Sequence, residues 1–532
     1  MRLIKSFKNI LHYNTVKDNI STKKLCINIF YFAIIQENVT DMQICVFVLD
    51  HIRKGKPMTA KIKDDSYDVI IVGAGPSGIF CAYELITKNP SLDILMLEKG
   101  NDIKNRICPK RKTGICVHCK PCNITTGFSG AGAFSDGKLT LASSETGGNL
   151  DQVIGEKKCG EMVKKADDIY LSFGADEHVY GIDKQDQIEA IRRKSEAAGL
   201  NLVVSPIRHL GTEASYEIYS KLQEYLLSHG VEIMFRTAVD DILVNDKAYG
   251  VICKDGREFY SDTIVVGAGR EGASWFKRIC EKHDIDKKPG TVDIGVRVEC
   301  PDSVMQELNE ALYESKLIYY TKTSNDKVRT FCQNPSGEVA LENYHLPDSK
   351  EVTTVNGHAY KSKDMKTKFT NFALLVSKNF TEPFKEPLEY GTIFARAANM
   401  LAGGSVLVQS YGDIKKRRRS TPGRLEEVGA RPSCPDAVPG DITLVLPKRI
   451  MDGIIEMIEA MDKVAPGLAD DNTLLYGIEV KFYSNKVIID KNCETNIKGL
   501  YAIGDSSSWT RGLSMSSAMG LYIADVILNK KK

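Results

Sequence analysis

The chain has 532 residues, more than one hydrophobic core normally serves, so two or three domains are expected. It is 42% hydrophobic and 26% charged with a net charge of +2, an ordinary globular composition with no bulk charge to draw it to nucleic acid or an anionic membrane. Fourteen cysteines scattered without a secretory leader argue against a disulfide scaffold and for a reducing, cytoplasmic setting, where clustered cysteines hold metal or carry redox chemistry.

Residues 1–57 are polar and irregular, and Met58 stands ten residues before the first clear strand. They read as a poorly ordered extension or a start-site artefact. Their most apolar run, LCINIFYFAII at 25–35, is too short to span a bilayer.

The strongest signal is YDVIIVGAGPSGIFCAYELI at 67–86. Val69 to Val72 have the length of a buried parallel strand. The chain then enters Gly73-Ala74-Gly75-Pro76-Ser77-Gly78 and a helical pattern through Leu85. Gly73 permits the tight turn, Gly75 the approach of a pyrophosphate, and Gly78 close packing of helix on strand, while the helix start offers free N–H groups. A second apolar run at 93–97 ends at Glu98, twenty residues after Gly78, where a carboxylate would accept hydrogen bonds from a ribose. Pro76, Ser77 and Lys99 complete this dinucleotide set.

RICPKRKTGICVHCKPC at 106–122 places Cys108, Cys116, Cys119 and Cys122 within fifteen positions. Three of them follow at the close intervals that wrap an iron–sulfur cluster, whereas structural zinc usually draws on two separated C-x2-C knuckles. The Cys-Pro pair comes first, at Cys108-Pro109, not last as in ferredoxins. The open alternatives are a [4Fe-4S] cluster, zinc, a Cys116/Cys119 or Cys119/Cys122 redox disulfide, and ordinary thiols.

Further along, 151–199 reads as a helical insert. Residues 231–270 alternate short strands with turns and close on Gly267-Ala268-Gly269-Arg270. Gly267, Gly269 and Gly272 spell a second GxGxxG, conceivable as an NAD(P)H site. The preceding meander, and the lack of a strand ending in an acid some twenty residues on, favour a turn beside the first ligand. Residues 291–474 mix β-rich runs with an amphipathic helix near 448–463. Lys415 to Arg419 form a basic run suited to a phosphate but more simply a solvated loop. His209 and His358 are lone candidates for proton donors.

At the far end, GLYAIGDSSSWTRGLSMSSAMGLYIADVIL at 499–528 reads as strand, Gly504-Asp505 turn and small-residue helix. This resembles the C-terminal flavin motif of glutathione-reductase-like flavoproteins. The likeness implies that Asp505 binds the ribityl–pyrophosphate region of FAD and that the helix near Ser514 and Ser516 directs its N–H groups at the flavin.

VIIVGAGPSG, GAGAFSDGKL at 130–139, SPIRHLGTE at 205–213 and GLYAIGDSS together resemble the bacterial and archaeal FAD-dependent dehydrogenases of unassigned activity. The resemblance runs from about residue 66 to the C-terminus. It implies FAD, an oxidoreductase fold and a family-specific C-terminal domain, with the substrate left open. It also implies that the loop carrying Gly130, Gly132, Asp136 and Lys138 lies beside the flavin ring, where Lys138 could hold an acidic substrate. Arg511 is a further candidate at the ring, and with Asp136 and Lys138 it makes up the catalytic set.

The expected fold is α/β: a three-layer, Rossmann-like FAD domain of glutathione-reductase type, assembled from 60–150, 200–290 and 475–532, with an inserted α+β domain at 291–474. A small-molecule substrate would sit between the two domains over the flavin, and an electron-transfer partner is conceivable.

Overall fold

The computed structural model describes residues 65–109, 113, 117, 119–131, 137–143, 148–288, 292–345, 351–359, 363–378, 380, 383–384, 386–481 and 486–531. The expectation for residues 1–57 lies outside this set. Asp65–Lys532 form one compact unit.

Its first half is built on a five-stranded parallel sheet in the order Leu500–Ala502, Ile264–Val266, Val69–Val72, Ile94–Leu97, Glu232–Met234. Every residue of Val69–Val72 is buried, because alternate side chains enter two different cores. Val69 and Ile71 join Ile94 and Met96 under the helices Pro76–Lys88, Glu156–Ser172, Gly211–Ser228 and Leu513–Lys530. Ile70 and Val72 face Val239, Ile242, Val251 and Phe259 of a three-stranded meander and Phe276 and Ile279 of the helix Ala273–Lys282. Helices, parallel sheet and meander are the three expected layers.

The second half is an eight-stranded, mainly antiparallel sheet. Its order is Val438–Pro439, Leu407–Ser410, Leu474–Lys481, Val292–Pro301, Phe369–Lys378, Lys327–Asn334, Lys316–Tyr320, Leu200–Val203. Ile294, Val296 and Val298 point to one face with Phe372, Leu374 and Val376, and pack under the helices Asp302–Leu312 and Lys448–Asp462. Asp293, Arg297 and Glu299 alternate to the other face and are buried there with Asn371, Glu479 and Lys481.

Domain boundaries differ from the expectation in three places. Leu200–Val203, assigned to the nucleotide-binding half, is the edge strand of the second sheet, paired with Lys316–Tyr319. Leu474–Lys481 also belongs wholly to that sheet. The 151–199 stretch is no separate insert: Met162, Val163 and Tyr170 pack in the first half, Ile188 and Ile191 in the second. Pairing partners more than a hundred residues away decide these memberships, and local patterning carries no record of them. No described helix is long and apolar enough to cross a membrane.

The C-terminal helix lies on the first helix through Gly520. A Cβ there would stand 2.2 Å from the Ser77 carbonyl oxygen and 3.0 Å from the Cys81 nitrogen. Gly520→Val is therefore expected to lower stability by about 1–3 kcal/mol through overpacking, read as a fall in the thermal unfolding midpoint. An unchanged midpoint would mean that the two helices are not in contact at this point.

Candidate functional site

A cleft with about 1420 Å³ of empty space, its open mouth included, lies at the carboxyl ends of the parallel strands, the place where open α/β sheets bind ligands. Its floor is the Gly73–Ser77 turn. Gly73 has φ +104°, and a Cβ on it would stand 2.5 Å from the Gly267 carbonyl oxygen, so only glycine fits. The helix Pro76–Lys88 then starts with proline at its first turn and no side-chain cap, which leaves the N–H groups of its opening turn without side-chain acceptors.

Two more helices begin at the same cleft. Gly272 caps Ala273–Lys282 and Gly512 caps Leu513–Lys530; neither helix has a side-chain cap or an acid in its first turn. Gly75, Gly272 and Gly512 all line the cleft. Three uncapped N-termini on one cavity concentrate partial positive charge and N–H donors there, a setting for phosphate and for electron-rich groups.

Glu98 is 6% exposed and accepts hydrogen bonds from the N–H groups of Ala74 (2.9 Å) and Gly100 (2.8 Å), one on each carboxylate oxygen. Each oxygen keeps a further lone pair, enough to accept from a ribose diol. Lys99 also lines the cleft, and burial pushes its ammonium down to about 8, with Lys254 adding to the shift and Glu98 opposing it. Lys99 is ion-paired with Glu271.

At the other end, Ser516 donates to Asp505 Oδ1 (3.0 Å), and Arg270 stands 3.7 Å from Asp505 Oδ2. Burial raises the Asp505 carboxyl, and Arg270, Ser516 and Arg511 pull it back. The Ser514 hydroxyl is buried at the helix start without a protein partner. Glu342 and Tyr344 reach the cleft from the second half, on the hairpin of Glu338–His345 and Glu351–His358. Burial and Glu342 together hold the Tyr344 hydroxyl well above its usual range.

The glycine-rich loop is held by a residue that motif reading passes over. Arg106 is 3% exposed and donates to the carbonyls of Asn123 (2.9 Å), Ile124 (2.7 Å), Phe128 (2.7 Å) and Gly130 (2.5 Å) and to Ser129 Oγ (3.0 Å). The Ser129 N–H then bonds the Ala74 carbonyl at 2.8 Å, seating Gly127 and Gly130 beside the pyrophosphate turn. The only sequence signal was a lone arginine opening the cysteine stretch, and nothing local shows that its acceptors lie up to twenty-four residues away.

Of the sequence-derived cofactor set, Gly73, Gly75, Pro76, Ser77, Glu98, Lys99, Gly130, Gly267, Gly269, Asp505 and Ser516 line the cleft. Gly78 and Gly504 lie behind its floor, where a Cβ would meet Gly73 O at 2.2 Å and Ser77 Oγ at 2.5 Å. Gly132 and Asp136 lie outside the described residues. Lys138 does not line the cleft: its ammonium bonds Glu314 (2.6 Å) and the Gln333 carbonyl (2.6 Å), clasping the loop's strand to the second half. Arg511 precedes the C-terminal helix and acts electrostatically on Asp505 and Asp293.

Gly267, Gly269 and Gly272 open onto the same cavity as Gly73, so the second glycine motif builds a wall of the first site and not a separate nucleotide site. Cys108, Cys119 and Cys122 are half-buried, and Cys116 lies outside the described residues. Among the described residues no three His, Cys, Asp or Glu side chains are grouped to hold a metal. Lys415 and Lys416 pair with Asp471, and Arg418 pairs with Asp413, as a surface run does. His209 lies against Tyr313 with ring centroids 4.6 Å apart, and neither it nor His358 lines the cleft.

Residues 291–482 match the family described as FAD-dependent protein, C-terminal domain-like. An uncharacterized protein of Clostridium beijerinckii is 26% identical over 488 residues, covering 87% of this chain and 80% of that protein. Among solved structures, the glycine oxidase of Bacillus cereus is 14% identical, with 88% of this chain and 96% of that chain covered at a TM-score of 0.36. The L-proline dehydrogenase of P. horikoshii is 11% identical, with 88% and 94% covered and a TM-score of 0.39.

Arg106→Lys keeps the charge but loses the five-acceptor fan. It is expected to lower FAD affinity about tenfold, as lost hydrogen bonds to a charged group do, and to speed proteolysis within 119–131. Isothermal titration and timed digestion check this; unchanged affinity with an unchanged digest would remove the loop from the site.

Proposed function

We propose that this chain, whose residues 291–482 carry the C-terminal domain of FAD-dependent proteins, is an FAD-dependent oxidoreductase acting on a small organic substrate. The observation that carries the reading is the convergence of three glycine-capped helix N-termini and Glu98 on one cleft. A dinucleotide has a diol for the carboxylate and two phosphates for the N–H donors. The third N-terminus, with Asp505 and Ser516, suits an electron-accepting ring at the far end.

Bound FAD supplies the chemistry, accepting a hydride or electrons from one partner and passing them to another. The chain's own residues bind and orient. Glu98 holds the ribose, while the Gly73–Ser77 turn and the Gly130 loop cradle the pyrophosphate. Asp505, kept in place by Ser516 and Arg270, accepts from the ribityl chain. The start of the C-terminal helix stabilises negative charge on the ring, and Arg511 adds to that field. Glu342 and Tyr344 close the cleft from the second half and keep water from the reacting face.

In this reading the three layers are of glutathione-reductase type, the substrate enters between the halves of the molecule, and the protein works in the cytoplasm. NAD(P)H and an electron-transfer protein are the candidate redox partners. A [4Fe-4S] cluster or zinc on Cys108, Cys116, Cys119 and Cys122 is the finer alternative for the cysteine stretch.

Protein purified without oxygen is expected to show the two visible flavin bands and to release FAD, not FMN, on denaturation. Glu98→Ala should weaken FAD binding about 10- to 100-fold, the worth of charge-assisted hydrogen bonds to the ribose. Iron, sulfide and zinc assays on the same sample decide the cysteine stretch. A colourless protein that takes up no added FAD would sink the assignment.

A further inference from the structure

Lys99 and Glu271 meet across the cleft. Lys99 follows the strand Ile94–Leu97, and Glu271 follows the strand Ile264–Val266. These two strands flank Val69–Val72 on opposite sides, each paired to it in parallel. Their ends are therefore two strand spacings apart, roughly 10 Å, with the Gly73–Ser77 turn between them. Both residues line the cleft and are ion-paired to each other. The pair thus runs from one wall to the other over the carboxyl end of the central strand, where the phosphates and ribose of a dinucleotide lie in this fold.

Each side chain is about a third exposed, 36% for Lys99 and 27% for Glu271, while the Glu271 Oε2 that meets the ammonium is itself buried, so the contact is shielded inside a partly open pair. Glu98 below it is already engaged with the backbone of the turn, leaving Glu271 as the carboxylate paired with the Lys99 ammonium at the rim. Lys254 lines the same rim and disfavours a second ammonium beside it, which adds to the need for the Glu271 carboxylate.

The geometry points to a strap: the Lys99–Glu271 ion pair must part for FAD to enter or leave, and it governs how fast the cofactor exchanges more than how tightly it binds. This rests on the FAD reading above. A contact that opens and recloses on each passage adds to the barrier in both directions, so removing it speeds uptake and release together.

The test uses the holoprotein with FAD itself as the probe, following the fluorescence gained on release into an excess of a capturing apoflavoprotein and the fluorescence lost on uptake by the deflavinated chain. Glu271→Gln is expected to raise both rates roughly fivefold, the worth of a partly exposed ion pair, with the equilibrium affinity changed less than about twofold. Glu271→Asp, which keeps the carboxylate opposite Lys99, is expected to leave both rates nearer the original values than Glu271→Gln does. Release that quickens while uptake slows would make Glu271 an ordinary ligand contact and overturn the strap, as would rates that do not move. Failure of the FAD reading shows differently, as a wild-type chain that neither retains nor takes up FAD, and it removes the strap with it.

Discussion

At Ser77, the second residue of the first helix, three segments from distant parts of the chain come closer than side chains allow. A Cβ on Gly504 would stand 2.5 Å from the Ser77 hydroxyl, one on Gly267 2.9 Å from it, and one on Gly520 2.2 Å from the Ser77 carbonyl. The turn after Ile264–Val266, the turn after Leu500–Ala502 and the C-terminal helix are each admitted only because they present glycine at the contact. That approach brings the three helix starts onto one cavity, and the electrostatics of the cleft follow from it. The same constraint sets Asp505, one residue beyond Gly504, and Arg270, three beyond Gly267, after two adjacent strands, where their side chains stand 3.7 Å apart.

The second half depends on a different balance. Its large sheet packs one face on an ordinary apolar core and fills the other with charge. Arg297 is fully buried and makes a two-point contact with Glu479, at 2.9 and 3.1 Å, while Lys481 reaches the same carboxylate at 2.8 Å. Asn371 Oδ1 accepts from Arg297 at 2.7 Å. Such a layer costs several kcal/mol per ion in desolvation, which the matched charges offset, while the Asn371 amide nitrogen beside them is buried without a hydrogen-bond partner among the described residues. Its reward is geometric: a rigid array under the hairpin that carries Glu342 and Tyr344, with Asn356 linking the two through Glu342 Oε2 at 3.3 Å and Arg297 at 3.4 Å. An apolar face would hold the sheet together as well but would place those two side chains less sharply.

Lys138 shows how one residue reads differently before and after folding. A lysine at the end of a glycine-rich loop suggests a charge offered to flavin or substrate. In the fold it is the bolt between halves, held by Glu314 and the Gln333 carbonyl. The loop's position falls instead to Arg106, which opens the cysteine stretch but belongs to no motif that points to the loop.

The turn, the first helix, Glu98 on schedule and the Gly504-Asp505 motif were legible because each is a local requirement: a backbone that must pass close to another group excludes a Cβ, and that exclusion is written at the position itself. The β-rich runs of 291–474 were legible as local apolar stretches, but not which strands join them in one sheet. What folding alone decided were the relations between remote segments. The strand Leu200–Val203 joins the far edge of the second sheet, the 151–199 stretch divides between two cores, and both glycine motifs share one cavity. Arg106 finds its five acceptors only once the 123–130 loop folds around it, and Lys99 finds Glu271 only because strand order places them together. Hydrogen-bond register and ion pairing across more than a hundred residues leave no periodicity in a single sequence; they exist only once the sheets have chosen their neighbours.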